Sequence, residues 1–217
     1  MAKIFIALPI FNFQDTKIKR NQDSVFSNSK HQTIYSEIIG ASVEHARQIM
    51  IEQFLKTDCD YLLNLDADIV FLNGEIDPLD ILIQADKDIV GGIYYYKKTP
   101  CLPVYRPLDL QEIYQKEGNF PKDYKFVIPN KLSEVQWLGN GLKMVKRNVV
   151  EKIKNIINCP NLPMIYKNEY ISEDWAFDQR ARDLGFTVWI EPQIKLGHVG
   201  TYTYTETDFR RLNGFDK

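Results

Sequence analysis

Two aspartates, Asp66 and Asp68, directly follow an apolar segment over residues 61–65. Where a strand leaves a sheet, two carboxylates at this spacing can converge on one cation, and such hard oxygen ligands suit Mg²⁺ or Mn²⁺. Aspartates also shape ordinary turns, so the pair alone is weak evidence. The apolar residues on either side strengthen it, because neighbouring carboxylates in apolar surroundings repel each other without a cation. The pair is therefore predicted to bind a divalent metal ion.

A second pair of acids, Glu173 and Asp174, lies at the start of a predicted helix that Ser172 caps and Gly185 ends. The buried stripe of this helix follows three and four residues later, so both acids can lean toward the buried edge and geometry does not choose between them. A carboxylate there can accept a proton as a general base. The alternative is structural, since acids in a first turn stabilise a helix by about 0.3–1 kcal/mol.

The elements that must position these acids follow a strand-helix-strand pattern, which predicts a parallel sheet with right-handed crossovers. Residues 3–8 form an apolar run ended by Pro9 and are typical of a buried central strand. Residues 36–56 are predicted as a helix and residues 61–65 as the next strand. Ligands of such sheets bind beyond the carboxyl ends of the strands, where the aspartate pair is predicted to lie.

Two long segments show no clear periodicity. Residues 12–33 are rich in polar side chains and are predicted to form a loop that is too long for a plain connector. Residues 97–130 combine Pro, Tyr and charged residues, and we expect hairpins or irregular structure there. The remaining predicted elements are a short helix opened by Asp77 and Pro78, strands at 89–90, 133–137, 142–145 and 187–190, and a helix over 148–157.

Length and composition indicate one α/β domain over residues 1–217. With 217 residues, 44% of them hydrophobic, the chain can bury a sizeable core. The 27 basic and 29 acidic residues nearly balance, so there is no electrostatic basis for nucleic acid as the main partner.

The cysteines and the N-terminal residues indicate the cellular compartment of the protein. Cys59, Cys101 and Cys159 match neither a zinc spacing nor a paired disulfide scheme, which favours reduced thiols. The apolar run at the N-terminus is too short for a signal peptide or a membrane span, and no other stretch reaches about 18 apolar residues. We therefore expect a cytoplasmic protein without a transmembrane segment.

A series of short motifs, taken in order, resembles the GT-A glycosyltransferases, particularly the compact single-domain ones found in viruses and microbes. No single motif is specific, and the ordered set is considerably more so. The resemblance runs through most of the chain, but residues 12–33 and 97–130 match nothing in the family. The motifs are the strand ending at Pro9, Ala46-Arg47, Asp66-Ala67-Asp68, Gly91-Gly92, Trp137-Leu138-Gly139-Asn140-Gly141, Glu173-Asp174 and Gly197-His198.

The resemblance implies a GT-A, Rossmann-like fold with a mixed, mainly parallel central sheet flanked by helices. It implies a metal-dependent transferase that moves a sugar from a UDP- or GDP-linked donor to a hydroxyl group of a glycan, lipid or protein. Asp68 would bind the metal, Asp66 would contact the ribose or the metal, and His198 would supply a third contact. An imidazole beside two carboxylates slightly favours Mn²⁺ over Mg²⁺. The alternative for His198 is an ordinary packed histidine.

The resemblance also implies roles in binding the donor and in proton transfer. Pro9, Ile10 and Phe11 would receive the nucleotide base, and Arg47 would stand near the base or the diphosphate. The alternative for Arg47 is a solvated helix arginine. In inverting members the second acid of the late pair takes the acceptor proton, which selects Asp174. The sequence does not settle whether the reaction inverts or retains configuration.

Gly139, Asn140 and Gly141 would let the backbone approach the sugar or the acceptor closely. The alternative is a hairpin turn, which Asn-Gly favours strongly and which we prefer for Asn140 and Gly141 taken alone.

Two other functions compete with the transferase. A phosphatase of the haloacid-dehalogenase type also has an Asp-x-Asp after an apolar strand, but there the motif usually lies on the first strand. A non-catalytic module could bind sugars or nucleotides through the many tyrosines and tryptophans, although core packing explains most of these. The retained acids Asp66, Asp68 and Asp174 argue against a loss of catalysis.

Overall fold

The computed structural model describes residues 1–12, 14–119, 121, 123–200, 202–212 and 214. It has a mixed α/β fold in which helices flank a mainly parallel, Rossmann-like sheet, as predicted. The strands are β1 (Lys3–Ile10), β2 (Gln32–Ile39), β3 (Tyr61–Leu65), β4 (Ile69–Phe71), β5 (Ile89–Ile93), β6 (Tyr105–Arg106), β7 (Ser133–Val135), β8 (Trp137–Leu138), β9 (Leu142–Lys146), β10 (Met164–Tyr166), β11 (Glu169–Ile171), β12 (Val188–Val199) and β13 (Thr203–Tyr204). The helices are α1 (Thr16–Ser27), α2 (Val43–Leu55), α3 (Pro78–Gln84), α4 (Leu108–Glu117), α5 (Arg147–Ile156), α6 (Glu173–Asp183) and α7 (Glu206–Leu212). In the described part of the chain, no helix is long and apolar enough to cross a membrane.

The central sheet is ordered β13-β12-β5-β9-β3-β1-β2 over the described residues, with β4 and β7 each paired to β12. β1 is parallel to both β2 and β3, and β5 is parallel to β12. β9 is inserted antiparallel between β3 and β5, so those two strands point in the same direction. The carboxyl ends of β1, β2, β3, β5 and β12 therefore face one edge of the sheet.

Both faces of the sheet are buried, and β1 shows how its sequence satisfies this. Ile4, Ile6 and Leu8 pack with residues of α1 and α3, whereas Phe5 and Ala7 pack with residues of α2, α5 and α6. All five side chains are at most 3% exposed. A strand buried on both faces needs apolar residues at successive positions, which explains the unbroken apolar run.

The end of this first strand was predicted wrongly, because β1 continues through Pro9 to Ile10. Pairing with β3 stops at Ala7, while pairing with β2 continues. The Ile10 carbonyl oxygen accepts a hydrogen bond from Gly40 N on the β2 side. Backbone groups of successive strand residues point to opposite sides, so the Pro9 nitrogen faces the side on which pairing with β3 has already ended. No N–H donor is needed at that position, and proline is therefore tolerated.

The prediction of a loop over residues 12–33 was wrong, because α1 occupies the middle of it. Asp15 caps the helix, and its side chain accepts a hydrogen bond from Lys17 N at 2.7 Å. The buried face consists of Ile18, Gln22, Val25 and Phe26. Its spacing is helical, but a buried glutamine interrupts the apolar stripe and hides the pattern in the sequence.

The helix predicted over residues 36–56 starts later than expected. Residues 36–39 belong to β2, and α2 begins at Val43 after the capping residue Ser42. β2 is the edge strand of the sheet, and Ile34 and Ile39 are 44% and 65% exposed. A half-exposed edge strand does not show the unbroken apolar run of a central strand, so residues 36–39 were predicted as part of the following helix.

Residues 97–130 are more regular than expected. They contain α4, which ends at Gly118 with a φ of 72°, and β6, which pairs with β8 in a separate two-stranded sheet. The strand predicted over residues 133–137 is accordingly divided between β7 in the central sheet and β8 outside it.

Gly91 lies inside β5 rather than closing a strand as predicted, and it supports a test of the sheet. A Cβ atom there would lie 2.1 Å from the Leu142 carbonyl oxygen. We expect Gly91→Ala to lower the free energy of unfolding by about 1–3 kcal/mol, because backbone of β9 would have to move. Gly74 is the matched control, since an added Cβ meets nothing within 4 Å. Urea denaturation should show a change within about 0.5 kcal/mol for Gly74→Ala. Equal effects of the two substitutions would contradict this packing.

Candidate functional site

A cleft of about 510 Å³ opens at the carboxyl edge of the sheet. We call it the polar cleft, and it is lined by Pro9, Phe11, Asn12, Asp15, Ile18, Ala41, Val43, Asp66, Ala67, Asp68, Lys97 and His198. The structure thus brings Pro9 and Phe11 to the same cleft as both aspartates of the pair and His198. Ile10 does not line it, because this side chain is 5% exposed and packs in the core.

Arg47, on α2, is buried next to this cleft and is only 2% exposed. Its Nη2 donates to Asp66 Oδ1 at 2.6 Å, and its Nη1 donates to Asn64 Oδ1 at 3.0 Å. Its Nε lies 3.9 Å from Glu173 Oε1 and has no hydrogen-bond acceptor among the described residues. Arg47 is therefore not the solvated helix arginine of the alternative reading. A buried guanidinium needs such carboxylate partners to offset its loss of water.

The two aspartates of the pair have different surroundings. Burial raises the pKa of Asp66, and Arg47 opposes this only in part. Burial would also raise the pKa of Asp68, but hydrogen bonds and charges from His198 and Lys97 hold it below its ordinary value. Asp68 therefore loses its proton at a lower pH than Asp66 does. Neighbouring carboxyl groups differ in this way when their environments differ.

Asp68 contacts one side chain through each carboxylate oxygen. Its Oδ2 forms an ion pair with the Lys97 ammonium group, and its Oδ1 lies 3.4 Å from His198 Nε2. His198 reaches this place because β12 pairs with β4, which sets His198 opposite Ile69. The His198 Nδ1 lies 2.7 Å from the Tyr95 carbonyl oxygen. A carbonyl only accepts, so Nδ1 carries a hydrogen. The hydrogen bond and charge that lower the pKa of Asp68 come from the ring with Nε2 also protonated, and loss of that proton leaves an Nε2 lone pair facing Asp68.

A lone pair and a carboxylate facing each other suit a cation between them, and the backbone bond at Nδ1 is the usual way in which a protein orients a metal-binding histidine. Among the described residues, no three His, Cys, Asp or Glu side chains come together as a ready-made metal site. Asp66 in particular gives one oxygen to Arg47. The donor set therefore fits a metal that keeps waters and takes phosphate oxygens from a ligand, as Mg²⁺ does, rather than one enclosed by protein.

Helix α1 supports the turn between β3 and β4 that carries the aspartates. Gln22 Nε2 donates to the carbonyl oxygens of Asp66, at 3.1 Å, and Ile69, at 2.8 Å. Gln14 Nε2 donates to the Gln22 side chain at 2.8 Å and to the Ala67 carbonyl at 3.3 Å. These amides satisfy backbone oxygens that leave the sheet ladder, so the turn is held rigidly. The polar composition that predicted a loop is thus the means of positioning the acids.

Of the two acids at the start of α6, Glu173 faces the buried arginine. Its side chain is 16% exposed. Burial raises its pKa from 4.5 to about 7, with a further contribution from the charge of Asp174, while Arg47 lowers it. A carboxyl group that titrates near neutral pH is suited to proton transfer.

Asp174 faces a different set of groups. Its Oδ1 accepts hydrogen bonds from the Ser172 hydroxyl and, at 2.8 Å, from Trp175 N. Ser172 occupies the capping position, as predicted, but its hydroxyl bonds to Asp174 rather than to a backbone N–H. Burial raises the pKa values of Tyr94 and Tyr96, and the charge of Asp174 adds to both shifts.

Gly139, Asn140 and Gly141 do not line the polar cleft. A Cβ at Gly139 would lie 2.0 Å from the Tyr94 hydroxyl oxygen, and one at Gly141 would lie 2.7 Å from the Tyr94 ring. The glycines therefore make room for Tyr94. The hairpin preferred for Asn140 and Gly141 was wrong, because β8 and β9 pair with different strands. Gly141 still supports the site, since its carbonyl accepts a hydrogen bond from Asp66 N at 3.1 Å.

A buried ion pair joins α6 to the sheet. Lys143 on β9 and Asp178 on α6 have fully buried side chains, and Lys143 Nζ lies 2.8 Å from Asp178 Oδ1. Leu138 N donates to the other Asp178 oxygen at 2.7 Å, and Lys143 Nζ also donates to the Asp174 carbonyl at 3.3 Å. Burial raises the pKa of Asp178 to about 6, and Lys143 opposes the shift. These contacts place the first turn of α6 relative to the sheet edge.

Sequence reasoning missed three residues that shape the polar cleft: Lys97, Asn64 and Gln22. Asn64 carried a signal, because it is a polar residue inside an otherwise apolar strand, and Lys143 carried the same signal in β9. Such residues are buried only when they are paired. Lys97 carried none, since a lysine in a polar segment is ordinarily solvated.

The site combines three chemical capabilities. Asp68 and His198 offer one anionic and one neutral donor to a cation. Glu173 and Asp174 do not line the polar cleft, but they provide two carboxyl groups in different environments at the start of α6. The polar cleft is large enough for a ligand of nucleotide size, since ligand pockets typically enclose about 300–1,000 Å³.

No protein-family model and no curated protein sequence matches the chain. Among solved structures, A197 from STIV is similar over 92% of this chain and 86% of that chain, with 23% identity and a TM-score of 0.62. A glycosyltransferase involved in the glycosylation of the major capsid of PBCV-1 is similar over 72% of this chain and 65% of that chain, with 13% identity and a TM-score of 0.39. The likeness to A197 shows a shared fold, and the second likeness is too weak to bear on activity.

The raised pKa of Glu173 predicts a pH-dependent stability. Between about pH 4.5 and 7 the folded state binds a proton at Glu173 that the unfolded state has lost, so this group lowers stability as the pH rises through that window. We expect Glu173→Gln to raise the free energy of unfolding at pH 8 by about 1–3 kcal/mol, with the difference vanishing below about pH 4.5. Urea unfolding in the presence of a chelator, at several pH values, measures this.

Glu112→Gln is the control, because Glu112 is exposed on α4. It should change stability by less than about 0.5 kcal/mol at every pH. A Glu173→Gln variant that is no more stable than the wild type at pH 8 would show that the pKa of Glu173 is not raised in the folded protein.

Proposed function

We propose that this chain is a metal-dependent glycosyltransferase and that residues 1–217 form its catalytic domain. The observation that carries the proposal is the facing pair of Asp68 and His198 on the polar cleft, with Nε2 of His198 3.4 Å from Asp68 Oδ1. The pair lies at the carboxyl edge of a mainly parallel sheet, which is where such sheets bind nucleotides. The donor is a UDP- or GDP-linked sugar, and the acceptor supplies a hydroxyl group.

Asp68 and His198 would hold Mn²⁺ or Mg²⁺, with Asp66 within reach beside them. The bound cation would neutralise the negative charge of the departing diphosphate. Lys97 pairs with Asp68 Oδ2 and would have to leave this oxygen when a cation is held there, which would free Lys97 to contact a diphosphate oxygen. Arg47 stays buried and fixes Asp66, so its role is to position an acid rather than to bind the donor.

The wall of the polar cleft at the carboxyl end of β1 suits the nucleotide base. Pro9 and Phe11 line it there, at the carboxyl end of β1. Phe11 is 73% exposed, and an exposed aromatic ring beside a cleft offers a face on which a base can stack. Ile10 lies between them in the chain and packs in the core, so only Pro9 and Phe11 of the three predicted residues would contact the base.

Asp174 is the proposed general base of an inverting transfer. The acceptor oxygen forms a bond to the anomeric carbon, the bond from that carbon to the diphosphate oxygen breaks with its electron pair, and the acceptor proton passes to Asp174. Hydrogen bonds from Ser172 and Trp175 N hold the Asp174 carboxylate in place. The acceptor hydroxyl becomes acidic as the new bond forms, so a weak base at hydrogen-bond distance suffices.

The surroundings of Asp66 argue against the phosphatase alternative. In that mechanism the first aspartate attacks phosphorus, so it must be ionised and unobstructed. Asp66 Oδ1 is bound by Arg47 at 2.6 Å, and burial raises the pKa of this carboxyl group. Both features reduce its strength as a nucleophile.

Nucleotide binding gives the direct test. Thermal unfolding is recorded with UDP, GDP, CDP and their sugar conjugates, with and without Mn²⁺. At a hundred times its Kd, the correct diphosphate should raise Tm by roughly 5–10 °C. The shift should require metal and should disappear in Asp68→Ala, because this substitution removes the charged metal donor. Asp23→Ala is the matched control, since Asp23 is exposed on α1. If saturating nucleotide and metal leave Tm unchanged, the proposal is wrong.

The ion pair of Lys97 with Asp68 predicts opposite effects on two ligands. Lys97→Met removes the ammonium group that competes for Asp68, so we expect tighter binding of Mn²⁺ alone. The same substitution removes a cation from the polar cleft, so we expect weaker binding of the diphosphate, by about 2–10-fold. Isothermal titration with each ligand separates the two effects. Lys98→Met is the control, because Lys98 is the exposed neighbour. Weaker binding of both ligands would contradict a competition at Asp68.

A further inference from the structure

A second cleft, which we call the aromatic cleft, has a volume of about 270 Å³. Its rings are Tyr96, Tyr105, Tyr124, Phe126 and Trp175. Most of them come from residues 97–130, the segment in which the sequence matched no family pattern. The aromatic cleft therefore belongs to the part of the chain that no resemblance explains.

The rings of the aromatic cleft are held in fixed positions. Phe126 packs edge-on against Tyr105 and Tyr124, with ring centroids 6.0 and 5.2 Å apart. The Tyr105 hydroxyl donates to the Val127 carbonyl at 3.1 Å, and the Tyr124 hydroxyl donates to Asp109 at 2.9 Å. A ligand thus meets a surface whose side chains are already ordered, which lowers the entropic cost of binding.

Trp175 lines the aromatic cleft and carries a buried indole N–H group. Its ring stacks on Trp137 with centroids 5.1 Å apart, and the Arg106 guanidinium lies 4.9 Å from its centre. Its indole Nε1 is buried and has no hydrogen-bond acceptor among the described residues. A buried N–H group without an acceptor is unfavourable. A ligand oxygen that reached Nε1 would remove that cost.

The aromatic cleft adjoins the polar cleft at Tyr96 and Lys97. Lys97 lines the polar cleft and Tyr96 lines the aromatic one. Asp174 immediately precedes Trp175, and its charge acts on the hydroxyl of Tyr96. Asp174 lines neither cleft, but its neighbour in the chain, Trp175, lines the aromatic one, so the proposed base adjoins the place where an acceptor hydroxyl would lie.

We propose that the aromatic cleft binds a pyranose ring of a carbohydrate acceptor and directs one of its hydroxyl groups toward Asp174. This inference rests on the proposed transferase function and narrows the acceptor to a glycan. A pyranose has an apolar C–H face, which stacks on aromatic rings, and hydroxyl oxygens around its edge, which Trp175 Nε1 can bind. Aliphatic residues also line the cleft, namely Leu102, Pro103, Leu110 and Pro121. The five rings and the charged Arg106 nevertheless favour a polyhydroxylated ring over a prenyl or acyl chain. A peptide would need an open strand edge.

Binding of simple glycosides tests the proposal. Methyl glycosides of glucose, galactose, mannose, N-acetylglucosamine, fucose and xylose are titrated one at a time into the wild-type protein, and binding is followed by saturation-transfer difference NMR spectroscopy. We expect at least one to bind through the C–H protons of one ring face. Citronellyl phosphate and a serine-containing peptide represent the lipid and protein acceptors, and we expect neither to compete.

Two substitutions locate the bound glycoside. Trp175→Phe keeps the ring that stacks on Trp137 and removes the N–H, and it should weaken binding by about 2–10-fold. Tyr124→Ala removes a ring face at a partly exposed position and should weaken it by about 3–10-fold. Tyr170→Ala is the matched control, because Tyr170 is 67% exposed and lines neither cleft; it should bind as the wild type does. If Tyr124→Ala unfolds, Tyr124→Leu replaces it.

The outcomes separate this inference from the transferase proposal. It is overturned if no glycoside binds, if both substitutions bind a glycoside as tightly as the wild type does, or if the lipid or peptide probe competes. Nucleotide-dependent stabilisation of the wild-type protein without glycoside binding would overturn this inference alone. Glycoside binding that both substitutions weaken, without any nucleotide binding, would support the carbohydrate site and overturn the transferase.

Discussion

The burial of one guanidinium group organises the candidate site. Arg47 is 2% exposed, and its polar atoms reach Asn64 on β3, Asp66 after it and Glu173 at the start of α6. A guanidinium loses much of its hydration free energy when it is buried, so carboxylates and hydrogen bonds must replace the water. This requirement brings α2, the end of β3 and α6 together. It also ties one Asp66 oxygen to Arg47, whereas the two oxygens of Asp68 contact Lys97 and His198 on the polar cleft.

The fold could be predicted where the environment of an element was uniform. β1 and β3 are buried on both faces, so their sequences are apolar and their positions were found. β2 has one exposed edge, and α1 packs through Gln22, whose amide is buried because it bonds to backbone oxygens of the β3–β4 turn. Periodicity counts a glutamine as exposed. A polar side chain buried by its hydrogen bonds therefore conceals a helix that hydrophobic patterning cannot detect.

The site could be predicted in part for the same reason. Asp66 and Asp68 were found because acids beside apolar strands are conspicuous, and β12 does carry His198 to the second of them. The role of Lys97 depends on a partner 29 residues away, which no local pattern encodes. The glycines at 139 and 141 were assigned to a ligand, but they accommodate the ring of Tyr94. A glycine indicates that another group packs closely against the backbone, but the sequence does not identify that group.

The charges around the two clefts bear on why a metal would be needed at all. Asp66, Asp68, Glu173 and Asp174 carry more negative charge than Arg47 and Lys97 can balance, even with Glu173 partly protonated near neutral pH. A nucleotide diphosphate adds further negative charge to a partly buried region, where like charges repel more strongly than in water. Lys97 alone would leave this repulsion in place. Under the proposed function, this charge balance favours a donor that binds together with a divalent cation, and the metal would help to admit the donor as well as to release the diphosphate.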